Sequence, residues 1–340
     1  METAAGSFSG KKGAEAVSVR RQSHSSRQTR DGFLSQARAV QSWYVLARSE
    51  QLKPEKILTR SILSERIAVY RGSDGAPHAL AARCPHMGAD LGQGRIQGSN
   101  IECAFHRWAF GPDGACKEHA RKGTFSYPCM ERYGLVWVFN GPVPLFDIPD
   151  FSGYDYVRMP ESTIRAHPHL LAANGLDIAH FESVHGLKFH GEPRPQILDP
   201  YRMQVKLEID LNQPGLVFRA LRGLAGHTAS ARFTTAGGNL ATIHAAAGPV
   251  PIYVLFTHRP LDGGRSKSQT LFFFPRPRLW PVLEQGRRLL AFLIMFAILR
   301  DDVDLLSNLD FREDGLLSGE PMSMFRSHVN KMETFLASDS

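Results

Sequence analysis

Two short runs, Cys84-Pro-His86 and Cys103-Ala-Phe-His106, each carry one cysteine and one histidine, and sixteen residues separate His86 from Cys103. If the four side chains share one centre, both loops must meet, and no other feature restricts the fold as tightly. Two thiolates on one iron and two imidazoles on the other are what an iron-sulfur cluster of mixed ligation needs; the imidazoles reduce its net negative charge and raise its potential. Gly88 directly after the first pair lets that loop curl closely around an inorganic core. Two cysteines plus two histidines are also a common zinc set, although the Cys-x-His spacing is shorter than the paired spacing of zinc fingers. Cysteine and histidine also sit in cores for packing alone. Two such pairs, with Pro85, a Gly-rich continuation and the Phe-His-Arg-Trp tail at 105–108, argue against that plainer reading.

Further along lies Asn174-Gly-Leu-Asp177-Ile-Ala-His180-Phe-Glu-Ser-Val-His185-Gly186. On a helix Asn174, Asp177 and His180 or Phe181 share one face. His185 is five residues past His180, a rotation of about 140° on a straight helix, so the helix is expected to bend or end before His185, where Gly186 permits it. Two imidazoles need a carboxylate to complete the facial triad that leaves open positions on Fe(II). Helical spacing sets Asp302 in line with Met295, Ile298, Leu305, Leu306 and Leu309, whereas Asp304 falls with Arg300 and Asn308. A carboxylate on an apolar stripe is costly unless it is paired or bound to metal, which favours Asp302. An ordinary helix cap or surface acid is the alternative.

From Trp43 to Phe139, short β-rich runs broken by Gly, Pro and Asp predict a small all-β domain. Gly141 to Pro149 reads as a linker. A helix around Leu170 to Phe181 follows, then strands at Tyr201–Leu211, Leu216–Leu221, Ala231–Phe233, Ala241–Ala247, Tyr253–Arg259 and Thr270–Phe274, then a long helical pattern from Trp280 to Leu309. Strands adjacent in sequence and framed by helices predict an antiparallel α+β domain. The expected division is a disordered basic leader at 1–32, a first domain at 33–145 and a second at 146–340.

Residues 1–40 hold seven Lys/Arg against three acids, leaving about +3 of the net +7 for the rest of the chain. A basic surface suits an acidic redox partner or anionic lipid; no helix-turn-helix or aromatic-basic interleaving supports nucleic acid. Four cysteines make no disulfide framework, and a thiolate metal site is better kept in a reducing cytoplasm, the expected location. No secretory leader is evident. The eleven apolar residues Leu289 to Leu299 are about half a bilayer span, so no transmembrane segment is expected. A buried helix is the expectation there, with a membrane-touching helix as the alternative. No dinucleotide-binding motif is present.

The segment CPHMGADLGQGRIQGSNIECAFHRWAFGPDGACK resembles the Rieske domain of ring-hydroxylating oxygenase α subunits, with wording especially similar to the ketosteroid hydroxylase and cholesterol 7-desaturase branch. The resemblance implies an all-β Rieske [2Fe-2S] domain followed by an antiparallel-sheet, helix-grip (START-like) catalytic domain. It implies cluster ligands Cys84, His86, Cys103 and His106, and a mononuclear Fe(II) on His180, His185 and Asp302. In such proteins electrons come from NAD(P)H through a separate reductase, with or without a ferredoxin, and dioxygen is spent on a hydrophobic substrate. A head-to-tail homotrimer is implied, in which Asp177 bridges one chain's His180 to the next chain's His106, and Asn174 lines the same face. Hydroxylation of a polycyclic or steroid-like molecule is the expected reaction, with walls guessed at Phe218, His244, Tyr253, Phe256 and Phe273. A Rieske electron carrier and a lipid-binding helix-grip protein are the rival readings. Two departures stand out: Met87 where many relatives have Arg, and Phe105 where many have Tyr. Phe105 cannot donate a hydroxyl hydrogen bond to cluster sulfur, which lowers the expected potential.

Overall fold

The computed structural model describes residues 33, 34, 39–215, 218, 219, 222, 223, 226–247, 250–275, 285, 286, 289, 293, 296, 302–316 and 319–337. The leader expected at 1–32 lies outside the described residues.

Between Trp43 and Phe139, β-branched and aromatic runs separated by turn residues form three small antiparallel sheets. Trp43–Arg48 pairs with Leu135–Phe139, and that strand with Cys129–Arg132. A four-stranded sheet runs through Leu58–Ile62, Glu65–Arg71, Pro77–Ala81 and Ser126–Tyr127. The third sheet joins Arg95–Gln97, Asn100–Glu102 and Ala109–Phe110. Its core buries Cys84 and Cys103 among Ala68, Tyr70, Leu80, Leu91, Ile101 and Phe110. Strand pairing therefore carries both Cys/His loops to one end of the domain.

The second region is built on an eight-stranded antiparallel sheet. Its order is Tyr154–Arg158, Arg265–Pro275, Val250–Leu261, Leu240–Ala247, Thr228–Ala236, Arg202–Asp210 and Pro195–Asp199, with Ser162–Ile164 also paired to Arg265–Pro275. Successive side chains in a strand point to opposite faces, so this sheet has two apolar sides. Met203, Val205, Phe233, Ala241, Val254, Phe256, Phe272 and Phe274 share a core with helix α1 (Pro168–Ala173) and the Pro321–Val329 helix. Leu240, Leu255, Leu271 and Phe273 on the other face pack against Trp43, Val45, Leu135, Trp137 and Phe139. The sheet is thus sandwiched between the helices and the β domain.

Polar groups pin that second interface. Asn239 Nδ2 donates to the Trp43 carbonyl at 2.9 Å, and the Ser42 hydroxyl donates to Asn239 Oδ1 at 2.5 Å. Arg259 is buried and donates to the carbonyls of Val45 and Ser61; desolvation pulls its guanidinium down to about 10. Segments near both ends of the described residues cross over. Phe33 is fully buried beside His169, Phe311 and Phe325 in the helix-side core. Thr334–Phe335 pairs with Ala39–Val40, and Phe335 packs on Phe125 and Tyr127 in the β domain.

Three local expectations differ from the structure. The strand expected at Leu216–Leu221 is not one at its described positions, where Phe218 and Arg219 are helical. Arg222 folds this segment back by donating to the carbonyls of Leu211 and Gln213. The Leu170–Phe181 helix is three pieces, α1, a 3-10 turn at Asn174–Leu176 and α2 (Ile178–Ser183). In the Leu289–Leu299 run, the described residues Leu289, Leu293 and Phe296 are helical but exposed, where a buried helix was expected.

Candidate metal centres

The Cys84-Pro-His86 and Cys103-Ala-Phe-His106 loops close in the same way. The first closes through Gly88 N–H to the Cys84 carbonyl at 2.9 Å, the second through Arg107 N–H to the Cys103 carbonyl at 3.1 Å. Both closing residues are left-handed, with φ of 78° at Gly88 and 64° at Arg107. A side chain rarely takes that conformation, and the strain is about 1–2 kcal/mol. Arg107 is held there by a 3.3 Å bridge to Glu102, a buried acid that Arg95 also contacts at 2.9 Å. The cysteines are buried, while His86 and His106 are exposed with ring centroids 4.4 Å apart. Burial raises the Cys84 thiol above its ordinary range, the neighbouring Cys103 adds to that, and the backbone N–H groups of His86 and Met87 oppose it. Trp108 stacks on His86 at 4.3 Å and 9°, covering one face of that imidazole.

At the second centre the ligating atoms of His180, His185 and Asp302 lie within 4.8 Å of one another. The Nε2 atoms of His180 and His185 each stand 2.8 Å from the same oxygen, Asp302 Oδ1. Asn174 donates to the other oxygen, Oδ2, at 3.0 Å. Asp302 is buried, and a buried carboxylate needs compensating positive charge. Among the described residues its ion-pair contacts are those two imidazoles, a donor set that suits a divalent metal with open positions.

Local sequence explains this convergence. Asp177 has extended geometry and accepts the His180 N–H at 3.0 Å, so it starts α2 as an N-cap rather than sharing a continuous helix face with Asn174. Gly175 lets the 3-10 turn press on the sheet: a Cβ there would stand 1.9 Å from the Phe233 ring. After α2, Gly186 takes φ 64° and turns the chain where His185 faces back. Residues 302–307 are helical; Val303 and Leu306 pack against Ile164, Ala166 and Leu171, which aims Asp302 inward. Leu305 and Leu309 are exposed, so the apolar stripe expected around Asp302 is narrower than the helical pattern indicated.

A family model for the Rieske [2Fe-2S] domain matches residues 42–129. The chain carries a Rieske domain. Both Cys/His loops described above lie within that match. Cholesterol 7-desaturase of Bombyx mori is 33% identical over 157 residues, which is 42% of this chain and 35% of that protein. The oxygenase component of 3-ketosteroid-9-alpha-monooxygenase from Rhodococcus rhodochrous is 31% identical over 170 residues, 44% of each chain. The chain therefore spans less than half the length of these relatives. Among solved structures, apo dicamba monooxygenase superposes with a TM-score of 0.61 at 23% identity, covering 87% of this chain and 97% of that one. NdmA of Pseudomonas putida CBB5 with theobromine, studied as a QL mutant, gives 0.62 at 17% identity, covering 84% and 88%. The shared fold thus extends well past the Rieske domain, over an antiparallel sheet with few helices.

Of the guessed substrate walls, Phe256 stands on the helix side of the sheet, where α2 also packs. Tyr253 and Phe273 face the Rieske domain, and His244 contacts Phe151 and Tyr253 on that side. Those three guesses are corrected by strand parity alone, since Tyr253 and Phe256 are three residues apart. Phe218 is half-buried. Glu102, Arg107 and Gly175 escaped the sequence reading. Only the glycine inside the Asn-Gly-Leu-Asp run offered a signal.

Proposed function

We propose that this protein is the oxygenase component of a Rieske non-haem iron oxygenase, acting on a hydrophobic, polycyclic or steroid-like small molecule. The observation that carries the reading is the convergence of His180, His185 and Asp302 in a chain that also holds a Rieske domain. The proposed division is a Rieske unit at 33–145 and a catalytic unit at 146–340. Cys84 and Cys103 hold one iron of the [2Fe-2S] cluster, and His86 and His106 the other. His180, His185 and Asp302 hold a mononuclear Fe(II), which when bound supplies dioxygen activation. Dicamba monooxygenase with non-heme iron and dicamba, which matches this fold with a TM-score of 0.58, supports the metal assignment.

The protein's own residues set the conditions for that chemistry. Asn174 occupies Asp302 Oδ2, so Oδ1 faces the two imidazoles. The helix-side sheet face, with Phe233, Val254, Phe256 and Phe272, supplies an apolar wall that excludes water. Electrons reach the cluster from a separate reductase, with or without a ferredoxin. In a head-to-tail homotrimer, Asp177 links His180 to the partner subunit's His106 and orients both rings. No described helix is long and apolar enough to cross a membrane, and a cytoplasmic location fits the thiolate centre.

The test is product mass spectrometry on a lipophilic substrate panel under heavy dioxygen, with a surrogate reductase, alongside iron content per chain. Coupled uptake, heavy-oxygen incorporation and one iron beyond the cluster pair are expected. A chain that holds only the cluster irons and consumes no oxygen with any substrate is an electron carrier or a binding protein instead.

A further inference from the structure

The two Cys/His loops turn at equivalent points with different residues. In the first, Gly88 takes the left-handed conformation freely; in the second that place falls to Arg107, at φ 64°. Strain of this kind persists only where the surroundings over-determine it. The Arg107 guanidinium reaches back five residues to Glu102 Oε1 at 3.3 Å, while Arg95 Nη2 stands 2.9 and 3.0 Å from the two oxygens of the same carboxylate. Glu102 is fixed in its turn. It is the middle strand's partner to Arg95 on one side and Ala109 on the other, and a Cβ on Gly94 would collide with its carbonyl. Cys103 N–H donates to the Trp108 carbonyl at 2.8 Å, which closes the loop around Arg107. Arg107 thus stands between His106, one proposed cluster ligand, and Trp108, whose ring stacks on His86, another.

From this we infer that Glu102 and Arg107 form an ionic clamp that positions both cluster imidazoles, His106 directly and His86 through Trp108. Neither residue is a proposed ligand; both are positioning residues. A glycine at 107 would take the same turn without strain, but nothing would then tie the turn to the strand beneath it. The anchor of the clamp is buried and its arm is at the surface, with side-chain exposures of 7% at Glu102 and 61% at Arg107. Since Arg95 also holds Glu102, the clamp can be opened at Arg107 without leaving a buried charge unpaired. The inference rests on the proposed ligand set Cys84, His86, Cys103 and His106.

The experiment compares the full-length, cluster-loaded protein with Arg107→Gly, Arg107→Lys, Glu102→Gln and the double variant Glu102→Gln/Arg107→Gly. Melting temperature, cluster loss to a chelator, the paramagnetic resonance spectrum of the reduced cluster and its reduction potential are measured. Arg107→Gly should melt no lower than the parent, because strain is relieved, yet lose its cluster roughly tenfold faster and show shifted g-values. Glu102→Gln should do the same, and Arg107→Lys, which keeps the charge, should recover part of the retention. The double variant should lose no more than the worse single one, because one clamp is opened twice. Three results overturn the inference. Parental retention and spectrum in Arg107→Gly would make the arginine merely tolerated. A potential that falls in Arg107→Gly and rises in Glu102→Gln, with retention and spectrum unchanged, would leave only the effect of charge. Additive losses in the double variant would give the two residues separate roles. If Glu102→Gln fails to fold, Arg107→Gly against Arg107→Lys decides alone. A parent that takes up no cluster overturns the ligand set and the clamp with it, whereas a loaded parent whose variants match it overturns the clamp alone.

Discussion

At the scale of single residues, the second centre is governed by two polar side chains that are not among its proposed ligands. Asn174 restrains Asp302 through Oδ2, and removing an outer partner of a metal ligand typically costs about 10- to 100-fold in affinity. Asn174→Ala should therefore keep the fold and lose iron to a chelator at correspondingly lower concentration; unchanged iron retention would mean that the hydrogen bond does not hold the carboxylate. Asp177 has two separable tasks. As the α2 cap it is replaceable by Asn at little cost, whereas Ala forfeits about 1 kcal/mol. If Asp177 also bridges subunits, Asp177→Asn should melt like the parent and keep both metals, yet lose turnover. Full turnover in Asp177→Asn would remove the bridge from the mechanism.

Among the elements, the break between α1 and α2 matters most. A continuous helix would carry Asn174, Asp177 and His180 around a regular spiral. The 3-10 turn with Gly175 against Phe233 instead sets the Asn174 amide and the His180 ring on the same carboxylate. Gly175→Ala forces a methyl into the Phe233 ring, an overpacking worth about 1–3 kcal/mol. The expected outcome is a lower melting temperature together with reduced iron content, and the double variant Gly175→Ala/Phe233→Leu should recover part of both. The Asn-Gly-Leu-Asp spelling gave notice of a turn, but the reason for it, a phenylalanine nearly sixty residues later, is a tertiary contact. The second cluster loop is similar: its strained Arg107 is legible only once Glu102 is seen beneath it.

For the whole molecule, three buried histidines outside both centres make stability depend on pH. Burial pushes His258 down to about 3 and holds His169 well below 6.5, where the charge of His167 adds to the effect. His328 is lowered chiefly by burial, with Lys331 adding and Asp199 opposing. Each binds its proton more readily unfolded than folded, so its contribution is complete above about pH 6.5 and is lost as pH falls from there toward the folded values. Melting temperature should fall by a few degrees between pH 7 and pH 5. His258→Gln should flatten part of that slope, and an unchanged slope in this variant would assign the pH dependence to other groups.

By itself the sequence determined the two candidate metal-binding spellings, the all-β character of the first domain and the antiparallel second one. Those features are local: ligand spacing within a loop, period-two alternation within a strand, glycines at turns. Asp302 was also within reach, because helical spacing sets it, unlike Asp304, in line with aliphatic residues, where an acid needs a partner. The structure alone decided what depends on residues far apart in the chain. It set Tyr253 and Phe273 against the Rieske domain, seated Phe33 in one core and Phe335 in the other, and left Leu289 and Leu293 exposed. A pattern of apolar residues says that a face is to be covered; which surface covers it is settled when sheets and helices stack, and that stacking energy is shared across the whole core.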